Sequence, residues 1–195
     1  MPPVTHLLYL HGFRSSPQST KAQQVARWIA QHHPEVVWCG PQLPPSPADA
    51  MAQIEAATAG WPRNRMAVIG SSLGGFYAAV FAERMGCRAV LLNPASQPAR
   101  DLAGQVGELR AWHSDEPFVF RPEFIDELRA MTPAALTRPE RYRAIIAKGD
   151  EVLDWREMVA FLPAGAEIEL IEGGDHAISD FEHRLLSVMS YLGLA

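Results

Sequence analysis

Residues 66–85 constrain this chain more than any other stretch. Met66 to Ile69 is a short apolar run and Phe76 to Met85 an apolar, helix-favouring one. Between them stands Gly70-Ser71-Ser72-Leu73-Gly74, which fits the pattern G-x-S-x-G. That succession reads as strand, sharp turn, helix. At such a turn the middle serine takes a strained backbone conformation, and the residues two before and two after it come close together, so both must be small. Gly70 and Gly74 meet that demand, and Gly75 leaves room for the helix to pack on the sheet. The turn lifts the Ser72 hydroxyl clear of the strand and aims it at the N-terminus of the following helix. Unpaired N–H groups there can hold an anion. This is the nucleophile-elbow pattern. The blander reading is a Gly/Ser-rich connection, and the rest of the chain must decide between them.

Strand and helix signals alternate throughout. Thr5 to Leu10 is a strand candidate that runs into loop chemistry at His11 to Pro17, and Ser19 to His32 reads as a helix with Val25, Ile29 and Trp28 on its apolar side. Val36 to Cys39 is a second strand. Ser46 is a helix N-cap with Pro47 behind it, and that helix runs to about Ala59. Arg65 to Gly70, Arg88 to Leu92, Arg143 to Ala147 and Glu167 to Ile171 are four further strands. Helices are expected at Leu73 to Met85, Asp154 to Leu162 and Ser179 to Leu192. The strands are continuous apolar runs rather than polar/apolar alternations, which indicates a parallel sheet buried on both faces. One stretch breaks the rhythm. About 50 residues separate the fourth and fifth strands, where a lone crossover helix would suffice. We read this segment, about residues 94–141, as a lid-like insertion over the carboxyl edge of a single domain spanning 1–195. The alternative is a long crossover packed on the core.

The bulk composition removes several function classes. The net charge is −5 and no Lys/Arg cluster stands out, so nucleic acid and anionic membranes are poor partners. No apolar run approaches the ~20 residues of a membrane span, and Met1 to His6 carry no signal-peptide pattern, so a cytoplasmic location is expected. Cys39 and Cys87 fit no metal-ligand spacing and read as two buried free thiols. The glycines match neither a dinucleotide fingerprint nor a P-loop, and no cofactor or metal is expected.

In a parallel sheet the ligand site lies beyond the carboxyl ends of the strands. After the first strand come His11, Gly12 and Phe13; after the third, Ser72; after the fifth, Gly149 to Asp154; after the sixth, Gly173-Gly174-Asp175-His176. A serine hydroxyl needs a base within hydrogen-bond reach, and the base needs an acid to hold its tautomer. Ser72, Asp150 and His176 supply all three in the order Ser, Asp, His. Asp154 competes with Asp150 for the acid, but stands where it would cap a helix. Asp175 adjoins His176 and cannot easily reach its own neighbour's ring. His11 reads as a structural loop residue. Arg14, Trp112, Phe118 and Phe120 are candidate substrate-pocket residues. For Arg14 the rival is a solvated arginine, and for the aromatics an anchoring role in the insertion.

With these four motifs in order, the chain resembles the α/β-hydrolases, and more narrowly the small bacterial YqiA-like esterases. The runs Leu8 to Pro17 and Asp175-His176-Ala177 favour the narrower match, and the resemblance is weakest from Pro98 to Glu140. It implies an α/β-hydrolase fold with a reduced parallel sheet of about six strands, the two strands that usually come first being missing. It also implies Ser72 as nucleophile, His176 as general base and then acid, and Asp150 as its orienting partner. The oxyanion hole would use the backbone N–H groups of Phe13 and Leu73. The activity implied is hydrolysis of a small-molecule carboxylic ester or thioester through an acyl-enzyme, without a cofactor. A lipase or peptidase on the same scaffold, or a non-catalytic binding protein of this fold, are the alternatives.

Overall fold

The apolar runs become the inner strands of one sheet, while the run Glu167–Ile171, expected to be continuously apolar, alternates with glutamates and forms a partly exposed edge. The structure is a computed structural model that describes residues 3–112 and 117–195; the N-terminal reading at 1–2 and the part of the insertion at 113–116 lie outside the described residues. In chain order the main elements are β1 (His6–Leu10), α1 (Thr20–His32), β2 (Val37–Cys39), α2 (Pro47–Thr58), β3 (Met66–Ser71), α3 (Leu73–Met85) and β4 (Arg88–Leu92). Then follow α4 (Pro98–Asp101), β5 (Gly107–Arg110), β6 (Pro117–Phe120), α5 (Glu123–Met131), β7 (Tyr142–Ala147), α6 (Trp155–Phe161), β8 (Glu167–Ile171) and α7 (Glu182–Leu192). Six strands form one sheet in the order β2-β1-β3-β4-β7-β8, every adjacent pair parallel. The chain therefore steps outward from β1 to β2, returns across β1 to β3, and continues the other way. The strand order reverses between β1 and β3, and a crevice opens there at the carboxyl ends.

Both faces of the sheet are covered, which is why its strands need apolar residues at successive positions. Leu7, Tyr9 and Ile69 pack with α1 and α7 on one face, while Leu8, Leu10 and Val68 pack with α2, α3 and α6 on the other. α3 is buried from Leu73 through Ala82. A helix apolar all round needs cover on every side, and the insertion supplies part of it through Phe120, Phe124, Ile125 and Leu128 of the same cluster. Between β4 and β7 the insertion holds α4, a β5–β6 antiparallel hairpin and α5. The Glu127 carboxylate of α5 accepts from Ser46 Oγ (2.8 Å) and from the N–H of Ala48 (2.9 Å), tying the insertion to the start of α2. Arg100 of α4 forks onto Glu157 of α6 at 2.8 and 2.5 Å.

Element ends differ from the sequence expectations where local hydrogen bonds intervene. α6 begins after Asp154, which caps it by accepting from the N–H of Arg156 at 2.9 Å. α7 begins at Glu182 rather than Ser179. Asp175 binds both the N–H (2.9 Å) and the Oγ (2.5 Å) of Ser179, and Ile178 sits at φ 49°, so the chain is still turning there. Cys87 is buried and Cys39 only half-buried; both are free thiols. Among the described residues no helix is long and apolar enough to cross a membrane.

Candidate active site

The turn after β3 has the geometry its glycines require. Ser72 stands at φ 56°, ψ −121°, a conformation that L-residues with side chains rarely adopt. Its N–H donates to Leu92 O (3.0 Å), and its carbonyl accepts from the N–H of Gly75 (2.8 Å) and of Ala95 (3.0 Å). A Cβ on Gly70 would lie 2.1 Å from the carbonyl oxygen of Gly74, and one on Gly74 would lie 2.1 Å from that of Leu10. Both obstacles are backbone atoms, so only glycine fits at either place.

Three loops then bring one relay together. Ser72 Oγ lies 3.0 Å from His176 Nε2, and His176 Nδ1 lies 2.7 Å from Asp150 Oδ2. With Nδ1–H donating to the carboxylate, Nε2 is the free acceptor facing the hydroxyl. The Asp150 side chain is fully buried while that of His176 is 22% exposed. The other Asp150 oxygen accepts from the N–H groups of Val152 and Leu153, each at 2.8 Å. That carboxylate therefore has partners for both oxygens before any substrate arrives. The Asp154 carboxylate is engaged in its own helix cap. The Asp175 carboxyl is spent on Ser179, whose hydrogen bonds hold it below the usual carboxylate range.

Ser72 and His176 open onto a cavity of about 460 Å³. Gly12, Phe13 and Leu73 border it beside the serine. The backbone of Gly12 runs so close that a Cβ there would touch Ser72 Cβ at 3.3 Å. Pro98, Leu102 and Trp112 from the insertion form an apolar wall, with Val152 and Leu153 on the Asp150 loop. Arg14 and Lys21 are cations that also line it. The Arg14 guanidinium lies 4.6 Å from the Trp112 ring centroid and its Nε donates to Arg110 O at 2.6 Å, so it is held rather than free in solvent.

Phe118 and Phe120 do not border this cavity, contrary to a pocket role. Both rings meet Phe13 edge-on, with centroids 5.1 Å apart, and Phe120 is buried. Residues 118 and 120 share one side of β6 because strand side chains alternate, and that side packs against the His11-Gly12-Phe13 loop. His11 is structural, as its position implies: Nδ1 lies 2.9 Å from Gly12 O and Nε2 accepts from the N–H of Leu43 at 3.0 Å. Among the described residues no three His, Cys, Asp or Glu side chains cluster as a metal site.

Two residues at the site, Asn93 and Lys21, escape the sequence reading, and a third, Glu151, enters it only as a carboxylate next to Asp150. Asn93, fully buried after β4, donates from Nδ2 to the carbonyls of Asp175 (3.0 Å) and His176 (3.1 Å). Glu151 accepts from the N–H of His176 at 3.0 Å. The Lys21 ammonium donates to Ala177 O, and burial draws its pKa down from 10.5 to about 8 against the opposing pull of Asp175 and Asp150. The signal that was there to be used is position: Asn93 follows a strand at the same edge as the other four motifs.

Comparison with known proteins accounts for this layout. Residues 6–193 match the model of an uncharacterised protein family, UPF0227. The chain belongs to that family, in agreement with the YqiA-like resemblance of its motifs. Solved structures share the α/β-hydrolase fold at low identity. α/β-Hydrolase domain-containing protein 10 from mouse is 16% identical, with TM-score 0.74, covering 98% of this chain and 91% of that one. A putative hydrolase from Agrobacterium vitis S4 is 17% identical, with TM-score 0.71, covering 96% and 87%. Est1E from Butyrivibrio proteoclasticus, solved with ferulic acid bound, is 15% identical, with TM-score 0.67, covering 97% and 87%. The six-stranded parallel sheet of this UPF0227 chain, with helices on both faces, is the architecture these proteins have in common.

Proposed function

We propose that the chain is a serine hydrolase that cleaves small-molecule carboxylic esters or thioesters. The observation that carries this reading is the relay from Ser72 Oγ through His176 to the buried Asp150, opening onto an apolar-walled cavity. Ser72 Oγ attacks the acyl carbonyl while His176 Nε2 takes its proton. The carbonyl π electrons move onto oxygen, and the N–H groups of Leu73 and Phe13 receive that oxyanion. Collapse expels the alcohol or thiol, which takes the proton back from His176, leaving Ser72 acylated. Water then adds to the acyl carbon, again giving its proton to His176, and the second collapse releases the acid and restores Ser72. Asp150 holds the tautomer and stabilises the imidazolium formed in each half-reaction. In this reading the insertion acts as the lid, whose Pro98, Leu102 and Trp112 lie along the acyl group.

The test is labelling with a fluorophosphonate probe, with the modified peptide located by mass spectrometry. The expected result is one adduct on Ser72, absent in Ser72→Ala and in His176→Ala, with both variants folded. Ester hydrolysis retained in folded Ser72→Ala would overturn the assignment.

A further inference from the structure

Asn93 carries more of the site than a turn residue needs to. It has 0% exposure and φ 41°, in the left-handed region that asparagine enters more readily than most residues. Its own N–H extends the β4–β7 ladder to Ile145 O at 3.0 Å. The side chain then spans two further loops. Oδ1 accepts from the N–H of Ala147 (2.8 Å), at the end of the strand leading to Asp150. Nδ2 uses both protons, on the carbonyls of Asp175 and His176. One N–H on one side and two carbonyls on the other fix which way the amide faces.

The same short turn grips the serine. Ser72 donates to Leu92 O and accepts from the N–H of Ala95, the residues on either side of Asn93-Pro94. Residues 92–95 therefore hold Ser72 by backbone bonds and the His176 loop by one side chain. That loop needs holding. Ile178, buried and β-branched, sits at φ 49° two residues after His176. Such a conformation persists only where its surroundings over-determine it.

We propose that Asn93 is a positioning residue for His176, setting the distance of the imidazole from Ser72 by fixing the carbonyls of Asp175 and His176 to the turn that carries the serine. The proposal rests on the triad reading above. Asn93 touches no reacting atom, so its effect passes through His176.

The experiment is a cycle of Asn93→Gly and Asn93→Asp, each with and without His176→Ala, read by the rate of ester hydrolysis throughout and by the rate of fluorophosphonate labelling where His176 is present. Glycine accepts the left-handed backbone without the amide. Aspartate keeps the shape but sets a carboxylate oxygen against two carbonyl oxygens. Each single variant should lose about 100-fold in kcat, the scale of a ~1 Å misplacement, with KM little changed. In the His176→Ala background neither should change the residual rate further. In parallel, proton NMR should show the far-downfield resonance of the His176 Nδ1–H bonded to Asp150 in the parent protein and its weakening in both variants, while core methyl signals stay in place. Rates within twofold of the parent with the resonance intact would overturn the proposal. So would equal losses with and without His176, or failure of both variants to fold, since each assigns Asn93 to the fold alone. If the parent itself is not labelled at Ser72, the triad reading fails first.

Discussion

Replacing Lys21 with methionine should stabilise this protein at neutral pH, and the gain should vanish in alkali. The ammonium of Lys21 is drawn into the cavity wall, where it donates to Ala177 O and faces the carboxylates of Asp175 and Asp150. Burial outweighs their attraction and brings its pKa from 10.5 to about 8. In the folded state the proton is therefore held less tightly than in the unfolded chain. Below pH 8 both states are charged and the burial cost is present in full. Between pH 8 and 10.5 the unfolded chain keeps a proton that the folded protein has released, so stability from this group rises with pH. At about 1.4 kcal/mol per unit, the rise by pH 9.5 is about 2 kcal/mol, and methionine, which does not titrate, lacks it. At pH 7 the variant should gain about 2 kcal/mol, the ~3.4 kcal/mol that the fall from 10.5 to about 8 represents less about 1 kcal/mol for the lost bond to Ala177. The assay is urea unfolding of both proteins at pH 7.0, 8.5 and 9.5. Taking the difference between them removes the other alkaline groups. Cys87, pushed up to about 12 by burial, and the buried tyrosines, also raised, lower stability with rising pH in both proteins alike. A stability difference that is the same at all three pH values would refute the reasoning.

Two contrasts, one among glycines and one between aspartates, separate site from scaffold. Gly70→Ala or Gly74→Ala places a Cβ 2.1 Å from a backbone oxygen, so labelling of Ser72 should slow by about 100-fold and stability fall by about 3 kcal/mol or more, while Gly60→Ala, with nothing within 4 Å, should be silent in both assays. Asp150→Asn should cost about 10,000-fold in kcat by offering the imidazole the wrong tautomer. Asp154→Ala should cost only about 1 kcal/mol of stability for its lost cap, seen as a shifted urea midpoint at unchanged kcat.

The sheet was legible because burial on both faces fills the middle of β1, β3, β4 and β7 with apolar residues, polar ones such as His6, Ser71, Arg88 and Arg143 standing at or near the strand ends, so each strand announces itself as an apolar run. The relay was legible because a parallel sheet sends every strand end to the same edge. What sequence could not supply was the distribution of side chains around that edge. Lys21 lies in the first turn of α1, where a cation among polar neighbours looks like any solvated helix residue. β5 is polar and half-exposed, and its pairing with β6 gives no periodic signal strong enough to read. Phe118 and Phe120 read as pocket residues or as anchors of the insertion, and choosing between the two requires knowing that β6 turns that side toward Phe13. Asp154 reads in the sequence as a helix cap, and the structure shows that cap as a hydrogen bond.

The three relay residues are held by three different means, and the difference determines how each fails. Ser72 is fixed sterically, by backbone packed against glycines that no other residue can replace. Asp150 is fixed within its own loop, by the N–H groups of Val152 and Leu153, and needs no distant element. His176 is held in a third way, the Asp175–Ser179 bonds of its own loop being reinforced from outside. Its loop is bound by side chains from elsewhere: Asn93 after β4, Lys21 on α1, and Glu151 beside Asp150. Substitutions at distant positions should therefore reach the chemistry mainly through the histidine. Such variants would keep an intact elbow and an intact carboxylate but lose the proton transfer between them. Their signature is a fall in kcat at constant KM, together with slower labelling of a Ser72 that has not itself moved.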